Sequence, residues 1–122
     1  MARILLIDDD DSFRTMLRLT LKYFGHTVIE ACNGKEGLKL FPTAKADLVI
    51  TDIVMPETEG YEVLRELRMM QPTVKVLVVS GGVRGNSATS LHIAECLGAS
   101  KAIGKPFANE VLMAAIDELL AR

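Results

Sequence analysis

The chain has 122 residues, 49% of them hydrophobic and 25% charged, with a formal net charge of −2. That length suits one domain with its own core and leaves no room for a second. The charge balance speaks against a broad nucleic-acid footprint, and no apolar run approaches the about 20 residues that span a bilayer.

The chain opens on Arg3–Ile7, a short run that is almost wholly apolar, and four acids, Asp8 to Asp11, follow at once. Ser12–Phe24 then reads as a helix with Phe13, Met16, Leu17, Leu21 and Phe24 on one stripe. Gly25 can close it with a left-handed residue. Thr27–Ala31 is a second strand, and Lys35–Phe41 a shorter helix stopped by Pro42. Leu48–Thr51 is a third strand, ending on Asp52. Tyr61–Met70 is a helix with Val63, Leu64, Leu67 and Met70 inward, ended by Pro72. Lys75–Val79 is a fourth strand. Ser80 to Asn86 contains three glycines and is expected to be a mobile loop. Ser87–Leu97 reads as a helix running to Gly98, Lys101–Ile103 as a fifth strand, and Asn109–Ala121 as a helix with Val111, Leu112, Ala115, Ile116 and Leu119 on its apolar side.

Strands one, three and four are apolar on both faces, as in a parallel sheet covered by helices on both sides. A β-α unit repeated five times gives that α/β architecture, with right-handed crossovers. Cys32 and Cys96 match no zinc or redox spacing and lie in apolar stretches, where buried thiols are common. With no signal peptide visible after Met1, this implies a cytoplasmic protein. His26 and His92 read as surface residues, and Met69, Met70 and Met113 as packing.

In a parallel sheet every carboxyl end lies on one edge, and ligands of open α/β sheets bind in the crevice there. Asp8 and Asp9 follow strand one, Asp52 strand three, Ser80 strand four and Lys105 strand five, so all share that rim. Three neighbouring carboxylates repel unless a cation joins them. All-oxygen donors favour Mg²⁺, which keeps waters and binds phosphate oxygens. With the ammonium of Lys105 and the hydroxyl of Ser80, the set suits three phosphoryl oxygens. Asp52 is then the nucleophile of an aspartyl phosphate. Each residue also has a plainer reading. Acids before a helix cap it, the expected role of Asp10 or Asp11. Ser80 before two glycines is ordinary turn chemistry, and Lys105-Pro106 alone says little.

Over almost its whole length the chain resembles the receiver domain of bacterial two-component response regulators. The resemblance rests on Ile4-Leu-Leu-Ile-Asp8-Asp9-Asp10, on Asp52-Ile-Val-Met55-Pro56 with Gly60 beyond, on Val76-Leu-Val-Val-Ser80-Gly-Gly, and on Gly98-Ala99 followed by Lys105-Pro106-Phe107. It implies a doubly wound five-stranded parallel sheet of flavodoxin-like order 2-1-3-4-5, which reverses between strands one and three and brings Asp8 and Asp9 beside Asp52. It implies Asp52 as phosphoacceptor and Mg²⁺ held by Asp9, by Asp8 directly or through water, by Asp52 and by the Val54 carbonyl. Ser80 and Lys105 would each bind a phosphoryl oxygen, and Lys105-Pro106 would be a cis peptide bond. The donor would be a phosphohistidine on a sensor histidine kinase or a histidine phosphotransfer protein. The output would be a downstream protein partner, since no DNA-binding or catalytic domain is expected in a chain whose Met1 opens directly on a strand. A monomer or weak dimer is expected, catalysing its own phosphoryl capture and loss but turning over no external product.

The chain departs from the family pattern in places. Ala102 stands where receivers usually carry Tyr or Phe, so the aromatic half of the usual switch is missing. The segment from Ser80 to Gly98 is about three residues longer than usual. Val54 and Gly82 offer no polar side chain toward an attacking water, so a phosphoryl group that is long-lived or that needs a separate phosphatase is expected. Two other readings compete. A haloacid-dehalogenase-like phosphatase would use Asp8-x-Asp10, and a flavodoxin-like cofactor module would need a phosphate loop where this chain has four aspartates.

Overall fold

The structure is a computed structural model that describes residues 2–52, 60–80 and 99–122; of Gly60, Tyr61 and Ser80 it describes the backbone alone. Five strands, β1 (Arg3–Ile7), β2 (Thr27–Ala31), β3 (Leu48–Asp52), β4 (Val76–Ser80) and β5 (Lys101–Gly104), form one parallel sheet in the order β2-β1-β3-β4-β5. Four helices accompany them among the described residues: α1 (Asp11–Tyr23), α2 (Gly34–Ala44), α3 (Gly60–Met70) and α4 (Asn109–Ala121). The expected glycine loop after Ser80 and the helix over Ser87–Leu97 lie outside the described residues, as do His92 and Cys96.

Alternation along each strand divides the core into two layers. Ile4, Leu6, Ile50, Leu77 and Val79 pack with Leu17 and Leu21 of α1 and with Leu112 and Ile116 of α4. Leu5, Ile7, Val49, Val76 and Val78 pack with Phe41 of α2 and with Val63, Leu64 and Leu67 of α3. Each fully buried aliphatic side chain contributes about 2 kcal/mol of transfer free energy. This two-sided burial is why β1, β3 and β4 carry almost no polar residues.

The helices start where side chains satisfy their orphan N–H groups. Asp10 caps α1, its carboxylate accepting from the Phe13 N–H at 3.1 Å. Asn33 caps α2, accepting from Glu36 N–H at 2.8 Å, while Glu36 reaches back to accept from Cys32 N–H at 2.7 Å. Beyond α1, Gly25 takes a φ of 93°, open to glycine without a Cβ clash. Gly37 lets α2 lie against β1: a Cβ there would stand 2.7 Å from Cγ1 of Ile7 and nearer still to Cδ1.

Several expectations are corrected. Helix α2 does not stop at Pro42 but runs on to Ala44, and Lys45 ends it with a left-handed φ of 53°. Proline forfeits one N–H bond, and so near the C-terminus the helix tolerates the loss. Only Leu17 and Leu21 of the α1 stripe are fully buried; Met16 and Phe24 are exposed, because α1 presents a narrow seam to the sheet. Met70 and Val111 are also exposed, and Met69 is 71% exposed, on the outer faces of their helices. Cys32 lies exposed in the turn that caps α2. His26 is half-buried, its Nδ1 accepting from Ala2 N–H at 3.2 Å. Burial and the positive N-terminus hold its imidazole below its ordinary range.

Candidate functional site

Register sets the rim. Ile7 pairs with Thr51, so the residues that follow, Asp8 and Asp52, meet across the β1–β3 seam. Asp52 pairs with Val79, Ser80 with Gly104, and Lys105 comes next. Asp8 continues the alternation of Ile4 and Leu6, and Asp52 that of Leu48 and Ile50, which places both carboxylates on the side covered by α1 and α4.

There they are nearly sealed from water, Asp8 at 1% and Asp52 at 6% exposure. One ammonium joins them: Lys105 Nζ donates to Asp52 Oδ2 at 2.8 Å and to Asp8 Oδ2 at 3.3 Å. The other Asp8 oxygen accepts from Asp10 N–H at 2.9 Å. The Asp8 backbone is tied on both sides, its N–H donating to Ala31 O at 3.2 Å and its carbonyl accepting from Arg14 Nη1 at 2.7 Å. Arg14 is held in turn by Glu30 at 3.2 Å and Asp11 at 2.7 Å. The Lys105 ammonium also lies 3.8 Å from the centroid of the Phe13 ring, and Phe107 meets that ring edge-on at 6.1 Å.

The electrostatics follow from burial. Desolvation pushes the Asp8 carboxyl above its ordinary value, and the charge of Asp52 adds to it; the Asp10 N–H and Lys105 oppose the shift without cancelling it. Burial works against the charged form of Lys105, yet the hydrogen bond and charge of Asp52, aided by Asp8, hold it above the usual lysine range.

The structure therefore brings together Asp8, Asp52 and Lys105, residues that lie far apart in sequence. Asp9 is exposed at the same rim. Ser80 contributes its backbone to the β4–β5 ladder, while its hydroxyl and all of Val54 and Gly82 lie outside what is described. Ala102 pairs with Val78 and packs, partly buried, against the α2–α3 layer. The Lys105–Pro106 peptide bond is cis. Two participants escaped the sequence reading. Periodicity places Phe13 on a core stripe, and nothing in that periodicity singles out Arg14. The signal for Arg14 was its place one helical turn behind a run of acids.

The donor chemistry fits a hard divalent cation. The buried pair offers only carboxylate oxygens, and among the described residues Lys105 pairs with both of them. Among the described residues, however, no group of three or more His, Cys, Asp or Glu side chains is arranged to hold a metal ion. The pair could therefore supply only part of a coordination shell.

Comparison with known proteins agrees with the fold. The sequence profile of the response regulator receiver domain matches residues 4–117. The chain is 36% identical over 122 residues to the response regulator MprA of Mycolicibacterium vanbaalenii, covering 99% of this chain and 51% of that protein. It is 34% identical over 119 residues to a probable transcriptional regulator, ycf27, of Cyanidium caldarium, covering 98% of this chain and 46% of that one. The chain thus spans about half the length of the curated relatives it matches. Among solved structures, a receiver domain protein from Clostridium thermocellum superposes with a TM-score of 0.91 at 30% identity, covering 100% of this chain and 96% of that one. The response regulator TrrA of Thermotoga maritima, in complex with Mg²⁺ and BeF, gives 0.85 at 31% identity, covering 98% and 99%. The chain belongs to the response regulator receiver domain family, and it is a phosphoryl-accepting signalling switch. That membership sets aside the phosphatase and cofactor-module readings. No helix among the described residues is long and apolar enough to cross a membrane.

Proposed function

We propose that Asp52 is the phosphoacceptor of this switch and that the chain captures the phosphoryl group itself. The observation that carries this is the lysine shared by two buried carboxylates, Asp52 at 2.8 Å and Asp8 at 3.3 Å. An Asp52 oxygen attacks the phosphorus of a phosphohistidine, forming the O–P bond of an acyl phosphate as the N–P bond breaks, and the imidazole recovers a proton from solvent. Lys105 then moves from the carboxylate to a phosphoryl oxygen, and the Ser80 hydroxyl takes another. Asp8, Asp9, Asp52 and the Val54 carbonyl would hold Mg²⁺, which when bound neutralises charge on the transferred oxygens.

The TrrA complex with Mg²⁺ and BeF supports the metal requirement by likeness. The donor is a sensor histidine kinase or a histidine phosphotransfer protein. A phosphoryl group of nearly two negative charges, where the Asp52 carboxylate carried one, biases one of two packings of the rim, and a downstream protein partner reads the result. On this reading the chain acts in the cytoplasm as a receiver domain and turns over no external product.

The test is intact mass and peptide mapping after incubation with acetyl phosphate, with and without Mg²⁺, beside Asp52→Asn. One phosphoryl group on Asp52, dependent on Mg²⁺ and absent from the variant, is the expected result. Labelling that persists in Asp52→Asn would overturn the assignment.

A further inference from the structure

We propose that Phe13 is a positioning residue for phosphoryl capture, holding the Lys105 ammonium over the site through the face of its ring. The inference rests on the reading that Lys105 serves a phosphoryl group on Asp52. Lys105 Nζ lies 3.8 Å from the Phe13 centroid, well inside the range of a cation–π contact. The ring is itself fixed, because Phe107 meets it edge-on at 6.1 Å and an interplanar angle of 84°. Phe13 belongs to the first turn of α1, and its own N–H donates the cap hydrogen bond to the Asp10 carboxylate. The helix start that carries the acids therefore also places the ring.

The physical case turns on directionality. Lys105 has three N–H donors, and at rest two of them go to Asp52 and Asp8. When an oxygen of Asp52 becomes part of an acyl phosphate, the ammonium must change acceptors without leaving the pocket. A ring face attracts a cation without consuming a donor and keeps its attraction as the cation slides. Phe13 thus fixes where Lys105 is, while its hydrogen bonds remain available to phosphoryl oxygens. A cation–π contact to a partly desolvated ammonium corresponds to about five- to thirtyfold in an equilibrium constant.

The test uses beryllofluoride with saturating Mg²⁺ as the phosphoryl stand-in, its binding to the whole chain followed by calorimetry. Phe13→Leu is expected to weaken binding about five- to thirtyfold. Replacing Phe13 by a trifluorinated phenylalanine, close in shape but with its ring face depleted of charge, is expected to weaken it similarly, which a purely structural role would not produce. In a Lys105→Met background neither change is expected to matter. Wild-type affinity in the fluorinated protein, or an equal loss with and without Lys105, overturns the proposal. Wild-type protein that takes up no beryllofluoride under these conditions overturns both this inference and the reading on which it rests.

Discussion

Replacing Asp8 with asparagine is expected to stabilise the metal-free protein, although it removes an ion pair. The two carboxylate oxygens stand 2.8 and 3.3 Å from one nitrogen, so they are no more than about 6 Å apart. At an effective dielectric of about 20 their repulsion is about 3 kcal/mol, and the attraction of Asp8 to Lys105 is about 5 kcal/mol. Burying the Asp8 charge costs several kcal/mol more. An asparagine keeps the acceptor for Asp10 N–H, relieves repulsion and desolvation, and leaves Lys105 paired with Asp52. The balance favours the variant by about 1 kcal/mol, or about 4 °C in Tm for a chain of this size. Because burial raises the Asp8 carboxyl above its unfolded value, wild-type stability falls as pH rises through that window and stays low above it. The advantage of the variant therefore shrinks on acidification, as wild-type Asp8 takes up its proton. Urea unfolding in chelator at neutral and acid pH measures both effects. Adding Mg²⁺ reverses the order: at a hundredfold excess over Kd it stabilises wild type by about 2.7 kcal/mol, a gain that Asp8→Asn largely forfeits. A variant less stable than wild type without metal at neutral pH would refute the reasoning.

Two further predictions concern the scaffold. Gly37→Ala is expected to destabilise by about 1–3 kcal/mol by pressing on Ile7, and the cost should vanish in an Ile7→Ala background when both are compared by urea unfolding. Asn33→Ala should lower stability by about 1 kcal/mol through loss of the α2 cap, with thermal melts showing a drop of about 4 °C and phosphoryl capture unchanged.

Much of the fold is legible in the sequence because two-sided burial leaves little choice. A run such as Val76-Leu-Val-Val has no wet face, so it belongs inside a covered parallel sheet, and the rim follows from the direction of the strands. Asp52 and Lys105 are readable by the same logic, each being the polar residue at or just past a strand's end. What periodicity misses is the width of the contact: Met16 and Phe24 lie on the α1 stripe, but only Leu17 and Leu21 reach full burial. Pro42 misled for a different reason. A proline costs the helix one N–H bond, and here the helix ends two residues later, at Ala44, with Lys45 as its cap. Phe13 was hidden because its two partners, Lys105 and Phe107, come from the far end of the chain, and no local pattern encodes such a pairing.

The sheet has a second edge, and it is built differently. There the Arg3 guanidinium donates to the Ala44 carbonyl at 2.9 and 3.0 Å, the Arg3 N–H to the Asp47 carboxylate at 2.8 Å, and Arg68 Nη1 to the carbonyls of Pro72 and Val74 at 2.9 Å. These ties close loops and leave the rim of Asp8, Asp52 and Lys105 to the other end, about five residues away along each strand, or roughly 16 Å. A dye or affinity handle attached at Thr73 would therefore sit beyond reach of the chemistry, and such a reporter could watch the molecule unfold without disturbing the switch it carries.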